Sequence, residues 1–240
     1  MLNNLKTILT IFSLSLLLGC KSLLISTTVK SNVDKDVKVY LDTEQNKIVY
    51  IPTIHLGKKG YYNSIKRIVD SLRKENYTVL FEGLEIDTSD TGETPRKFRK
   101  ITGFYLSGSY KDEENNSISN AYKKDKYEVQ TTDKIGVDKD VDIRADYSLD
   151  SLIFHYENKF GEIILTKCDY ETSLLSKYEC KDKNKYSEFD LLHIIREEKL
   201  YKLIHENKEN NIVILYGRAH RFGIHAFLRD EGYKLIEGKL

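Results

Sequence analysis

The sequence predicts an α/β fold: a mostly parallel central sheet flanked by helices, in a single domain that carries one polar insertion. Three features predict it. Tyr77–Phe81 and Ile212–Tyr216 are continuous apolar runs of strand length, as expected for strands buried on both faces. Tyr62, Ile65, Ile68, Val69 and Leu72 recur at helical spacing just ahead of the first run. With the preceding apolar segment Ile48–Ile51 they form a strand–helix–strand unit of about 35 residues, the size of a parallel crossover.

The remaining elements follow in order. Val37–Leu41 alternates like a strand, and the polar turn Asp42-Thr43-Glu44-Gln45-Asn46 leads into Ile48–Ile51. From Glu85 to Lys126 the chain turns polar, punctuated by Gly92, Pro95, Gly103 and Gly108. Part of the stretch is compatible with a helix of no fixed bounds, and the insertion is either a lid over a site or a long surface connection; loops of such length are uncommon without a role. Ile163–Leu165 reads as a strand. A helix is expected from about Glu188 to His205, with Leu192, Ile195 and Leu203 on its apolar face. Ile224, Phe227 and Leu228 mark a short helix that Gly232 would end, and Tyr233–Ile236 reads as a last strand. Strands alternating with helices predict three layers.

The beginning of the chain has a different character. Met1 to Lys6 is polar with one positive charge, and Ile8 to Leu18 is apolar apart from Thr10, Ser13 and Ser15. A run of about a dozen residues is short of the about 20 that span a bilayer, but it suits the apolar region of a signal peptide. It ends in Leu17-Leu18-Gly19-Cys20, which resembles a lipobox. That resemblance implies cleavage after residue 19 and lipid chains on Cys20, giving a lipoprotein held at the membrane of the bacterial cell envelope on its extracytoplasmic side. The expected organisation is a signal peptide over residues 1–19, a lipidated Cys20 with a polar tether to residue 35, and the α/β domain over residues 36–240.

Roughly 200 residues are enough for one sizeable core. The formal charge of the chain is +1, and loss of Lys6 with the signal removes it, so there is no basic surplus to hold nucleic acid. Cys168 and Cys180 are the cysteines beyond Cys20. Outside the cytoplasm a bridge between them is allowed, worth about 3 kcal/mol in the chain-entropy model; two buried thiols are the alternative. Neither has a Cys or His neighbour at a metal-ligand spacing.

Three polar residues share one kind of position, just past the carboxyl end of an expected strand: His55, Glu82 and His220. In open α/β sheets ligands bind in the crevice outside those strand ends. If the three strands are neighbours, two imidazoles and a carboxylate converge there. That set suits Zn or another divalent ion, with an open coordination position for hydrolysis. Without a metal the same residues could serve as acid and base, Glu82 orienting a histidine. A strand-end His that merely caps backbone, and a Glu82 paired with an arginine, are the plainer alternatives. His155, His193, His205 and His225 read as surface or helix residues with no assigned role.

The segment Tyr50-Ile51-Pro52-Thr53-Ile54-His55-Leu56-Gly57, its helix and Val79-Leu80-Phe81-Glu82 resemble the opening of the TraB/GumN family, related to the TIKI proteases. Ile214 to Ile224, with Gly217-Arg218-Ala219-His220, and Leu228 through Gly232-Tyr233 resemble that family's ending. The resemblance implies that both His-bearing motifs meet at one site. It also implies, for some members, metal-dependent proteolysis with His55, Glu82 and His220 as the essential groups. Mn, Co or Zn is the expected cofactor, His55, Glu82 and His220 its expected ligands, and a peptide or small molecule the expected substrate. Arg196 matches an Arg on the family's penultimate helix and could bind a carboxylate or hold Glu82. Asp146 falls where relatives carry an Ala-Asp pair.

One residue departs from the pattern: Pro52 stands where the family has Gly, fixing φ and removing an N–H donor. The competing expectation is a non-catalytic envelope lipoprotein that binds a small ligand, haem or a metal. A degenerate structural relative is a third, and Pro52 is its best support.

Overall fold

The computed structural model describes residues 31–58, 60–87, 89–106, 127–181 and 185–239. The expected signal segment, Cys20 and the first part of the tether lie outside the described residues, as do residues 107–126 of the polar insertion.

The central sheet has six strands: β1 (Lys38–Leu41), β2 (Lys47–Thr53), β4 (Thr78–Phe81), β6 (Ile143–Arg144), β7 (Ile212–Gly217) and β8 (Lys234–Glu237). They lie in the order β6-β4-β7-β2-β1-β8. The β6–β4, β4–β7 and β7–β2 pairs are parallel, while β1 runs antiparallel to both β2 and β8. A separate antiparallel pair joins β3 (Leu56–Lys58) to β5 (Tyr127–Val129). The helices are α1 (Tyr61–Lys74), α2 (Glu93–Thr102), α3 (Leu149–Phe160), α4 (Lys167–Glu171), α5 (Ile195–Glu206) and α6 (Arg221–Asp230). The α/β class and the mostly parallel sheet expected from the sequence are therefore present. Among the described residues, no helix is long and apolar enough to cross a membrane.

The uninterrupted apolar runs are explained by layers on both sides of the sheet. Val49, Ile51, Val79, Phe81, Val213 and Leu215 face one layer, where Tyr61, Tyr62, Ile65 and Val69 of α1 cover them. The alternate residues Ile48, Tyr50, Leu80, Ile212, Ile214 and Tyr216 face the other, against Leu200 and Ile204 of α5 and Ile224 and Leu228 of α6. Each buried Ile, Leu or Val side chain contributes about 1.5–3 kcal/mol of transfer free energy, so the β2–β7–β4 centre is the stable platform of the molecule.

One expectation is corrected. Ile163–Leu165 is no strand: the N–H of Ile163 is taken by the Glu157 carboxylate and that of Ile164 by the Tyr186 hydroxyl, so neither joins a ladder. Ile163 is buried with α2 and α3 instead, which accounts for its apolar character. Part of the polar insertion is also ordered structure, since α2 buries Phe98 and Ile101 against α3 and ends at Gly103, whose φ is +80°. The charged residues around Phe98 mask its periodicity in the sequence.

Away from the strand ends, a second polar cluster is buried. Lys100 Nζ lies 2.7 Å from Asp169 Oδ2, and the Tyr178 hydroxyl donates to Asp169 Oδ1 at 2.6 Å. Burial would raise the Asp169 carboxyl, but its bonds from Lys100, Tyr178 and Thr166 bring it down to about 2. The Cys168–Cys180 disulfide closes the loop beside it, settling the choice that the sequence left open.

Candidate functional site

Strands β4, β7 and β2 are consecutive neighbours and parallel, so their carboxyl ends emerge along one edge. Phe81 pairs with Leu215 and Thr53 with Gly217 in register. This register brings together the residues that follow the strands, and Leu192, His193 and Arg196 of the helical segment complete the lining. They form a cleft of about 330 Å³ whose lining includes His55, Glu82, His193, Arg196, Arg218 and His220.

Glu82 is held from two sides. Arg196 donates to its Oε1 at 2.6 Å, and the backbone N–H of Gly217 donates to Oε2. Gly217 must lack a side chain here, because a Cβ would stand 2.8 Å from Oε2. The same guanidinium bonds Asp146 through Nε to Oδ1 at 3.0 Å and through an Nη to Oδ2 at 2.5 Å. Asp146 is fully buried and also accepts from the N–H groups of Gly83 and Tyr147. One fixed planar cation thus serves two buried carboxylates, a geometry a lysine could not reproduce. Burial would raise the Glu82 carboxyl, but Arg196, then His220, His55 and the Gly217 N–H, outweigh it and hold it below the usual carboxylate range. Burial acts to lower the Arg196 guanidinium, and the two carboxylates reverse that.

His220 closes the 3₁₀ turn Arg218–His220 after β7 and is 4% exposed. Its Nδ1 lies 2.8 Å from Glu197 Oε1, and its Nε2 is 3.9 Å from Glu82 Oε1. Tyr201, one turn along α5, donates to the other Glu197 oxygen at 2.7 Å. His193 Nδ1 is 3.6 Å from Glu197 Oε1, and its ring centroid is 4.5 Å from that of His220. Phe189 stacks on the outer face of His193 at 4.8 Å. Burial and then the neighbouring His220 push the His193 imidazole below its ordinary value.

His193, Glu197 and His220 form a group that could hold a metal ion, with one donor atom from each lying within 4.8 Å of the others. Two imidazoles and a carboxylate are a donor set that suits Zn and related divalent ions, whose ligand bonds of about 2.0–2.2 Å require donors this close.

All four residues singled out at the strand ends and on the penultimate helix, His55, Glu82, His220 and Arg196, line the cleft. His55 sits exposed at its mouth, on the short connection from β2 to β3, while Glu82 and His220 are interior. Asp146, drawn from the weaker part of the resemblance, anchors Arg196. His193 and Glu197 were overlooked. His193, which the sequence reads as a surface or helix residue, is part of the candidate site. A signal was present: His193, Arg196 and Glu197 stand at i, i+3 and i+4, one face of a helix. Their helix also begins with a π-turn over Asp190–Ile194, a feature frequent at functional sites. The other histidines stay apart from the cleft; His225 Nδ1, for example, lies 3.2 Å from the Tyr40 hydroxyl on the α6 side. Pro52 lies in β2 beyond the last residue paired with β1, and its carbonyl accepts from Tyr61 at 2.9 Å.

Fold and cleft together define an α/β protein with a polar site at the carboxyl edge of a parallel sheet. Compared with protein-family models, curated proteins and solved structures, the chain finds no match.

Proposed function

We propose that this protein is a lipid-anchored, metal-dependent hydrolase of the TIKI-like, TraB/GumN kind, acting on peptide bonds at the bacterial cell envelope. The observation that carries the reading is the group His193, Glu197 and His220, whose two histidines line the same cleft as the Arg196-held Glu82 and the exposed His55. A divalent Mn, Co or Zn ion held by those three residues would supply Lewis acidity and a water activated near neutral pH.

The chain's own groups divide the remaining work. Glu82 is ion-paired to the fixed Arg196 cation and stands outside the His193, Glu197 and His220 donor group, and this favours an orienting role over that of ligand. Its fixed negative charge faces His220 and His55. His55, at the mouth, is placed to move a proton to a leaving amine. This reading moves the metal away from the His55, Glu82 and His220 set that the family resemblance implies, keeping His220 as the shared residue. The lipid anchor rests on Leu17-Leu18-Gly19-Cys20.

The test is metal content. The full chain, expressed in a bacterial host and extracted in detergent, is compared with the His193→Ala/His220→Ala double variant by elemental mass spectrometry, with circular dichroism as the folding control. Near-stoichiometric metal that disappears from a folded variant supports the site, and a peptide-library screen then reads hydrolysis. Metal without turnover of any peptide points to the non-catalytic binding lipoprotein. No metal in either protein after reconstitution overturns the metallohydrolase. Membrane release of Cys20→Ala tests the anchor.

A further inference from the structure

The charged groups of the cleft are, with one exception, matched. Glu82 and Asp146 share Arg196, and Glu197 is satisfied by His220 and Tyr201. The exception is Arg218. It lines the cleft, is half-buried, and lies two residues before His220 in the same 3₁₀ turn. Among the described residues no carboxylate lies within ion-pair distance of its guanidinium. Arg221, one turn further on, has none either; its guanidinium lies over the Phe222 ring at 4.2 Å, and one of its Nη atoms is 3.4 Å from the Arg218 carbonyl oxygen. A partly desolvated guanidinium carries five N–H donors in a planar fork that matches a carboxylate. Leaving such a group without an anion beside a reactive centre forfeits that pairing unless a ligand supplies it.

We infer that Arg218 is a specificity residue that binds a carboxylate of the substrate, so that the preferred peptide carries either a free C-terminal carboxylate or an acidic side chain next to the bond held at His220. The inference rests on the proposed peptide-cleaving reading for the meaning of the site, but recognition of the carboxylate needs no metal. Its position selects the carboxylate. Arg218 leaves β7 directly after Gly217, whose N–H is bound to Glu82, so the backbone from which the guanidinium projects is fixed. The Arg196 fork is already filled by two buried carboxylates and is not available for a ligand. Arg218 is therefore the cleft arginine left to pair with an incoming anion.

The test is a binding measurement that does not depend on hydrolysis. Fluorescein-labelled peptides of one sequence are prepared in four forms: free acid, C-terminal amide, and each with an internal Glu or Gln. Fluorescence polarisation is read with the full chain and with Arg218→Gln, both in metal-free buffer with chelator. The expected result is that one carboxylate form binds the native chain about tenfold or more tighter than its neutral partner, and that Arg218→Gln brings the ratio to about one. Preference for the free acid over the amide identifies an exopeptidase-type ligand; preference for Glu over Gln identifies an acidic side chain. Equal binding of charged and neutral forms overturns the inference. So does a ratio unchanged in Arg218→Gln, or no binding of any form. The His193→Ala/His220→Ala variant separates this from the metal reading: carboxylate preference kept in that variant, with metal lost, supports Arg218 whichever way the hydrolase proposal falls.

Discussion

His220 Nδ1 lies 2.8 Å from Glu197 Oε1, joining the turn after β7 to the first turn of α5. Glu197 reaches it because Gly223, near the start of α6, has no side chain: a Cβ there would fall 2.1 Å from Glu197 Oε2. Gly223→Ala should therefore displace Glu197 and weaken metal binding by about 10–100-fold, the range seen when groups supporting a metal site are removed. Because Ala is the better helix former by about 1 kcal/mol, the fold itself should not suffer from backbone propensity. Metal titration and thermal melting on the same sample separate the two effects. Unchanged metal affinity would show that Glu197 is not part of the metal group.

Arg196 stands between Glu82 and Asp146. Arg196→Met would leave two buried carboxylates facing each other without a cation, and the expected cost is about 3–5 kcal/mol. The triple variant with Glu82→Gln and Asp146→Asn should recover most of it, since the carboxylates' charge is then removed as well. Urea denaturation at neutral pH measures both. A loss below about 1 kcal/mol for the single variant would mean that water, not Arg196, stabilises the pair.

Acid should destabilise the protein in a defined window. Asp169 has a folded pKa of about 2 against an ordinary value of 3.8, and Glu82 is likewise lowered from 4.5. A carboxyl group held below its unfolded value contributes its full stability above that value and loses it as pH falls through the folded one. Stability should thus be flat above pH about 5 and fall between about 4.5 and about 2 from these two groups. Lys100→Met removes the cation from Asp169 and raises its folded pKa toward the unfolded value, so that stability at pH 7 drops by about 3–5 kcal/mol and the acid-side loss from this group shrinks. Denaturation midpoints across pH 2–7 give the comparison.

The Cys168–Cys180 bridge, with a sequence separation of 12, should stabilise the domain by about 3 kcal/mol in the chain-entropy model. Neither cysteine lines the cleft. A reducing agent should therefore lower the melting temperature while leaving metal content unaltered in protein that remains folded. Two titratable thiols in the untreated, denatured protein would contradict the bridge.

Most of the sheet was legible because its signals are local. Ile212–Tyr216 and Tyr77–Phe81 could not be apolar at every position unless both faces were covered, and Tyr62, Ile65 and Val69 could repeat only as a helix face. Strand-end position likewise marked His55, Glu82 and His220 without knowledge of the contacts. Ile163 misled, because burial against a helix and burial in a strand leave the same apolar trace. Only the tertiary structure decided which groups meet. Placing β7 between β4 and β2 set Glu82 beside the Gly217 N–H, and the docking of α5 on that sheet turned Arg196 inward to Glu82 and Asp146. The same docking drew His193 and Glu197 to His220, across more than twenty intervening residues in the case of Glu197. Helical spacing places His193, Arg196 and Glu197 on one face, but whether that face meets solvent, core or another element depends on packing between distant segments, which no local pattern in the chain records.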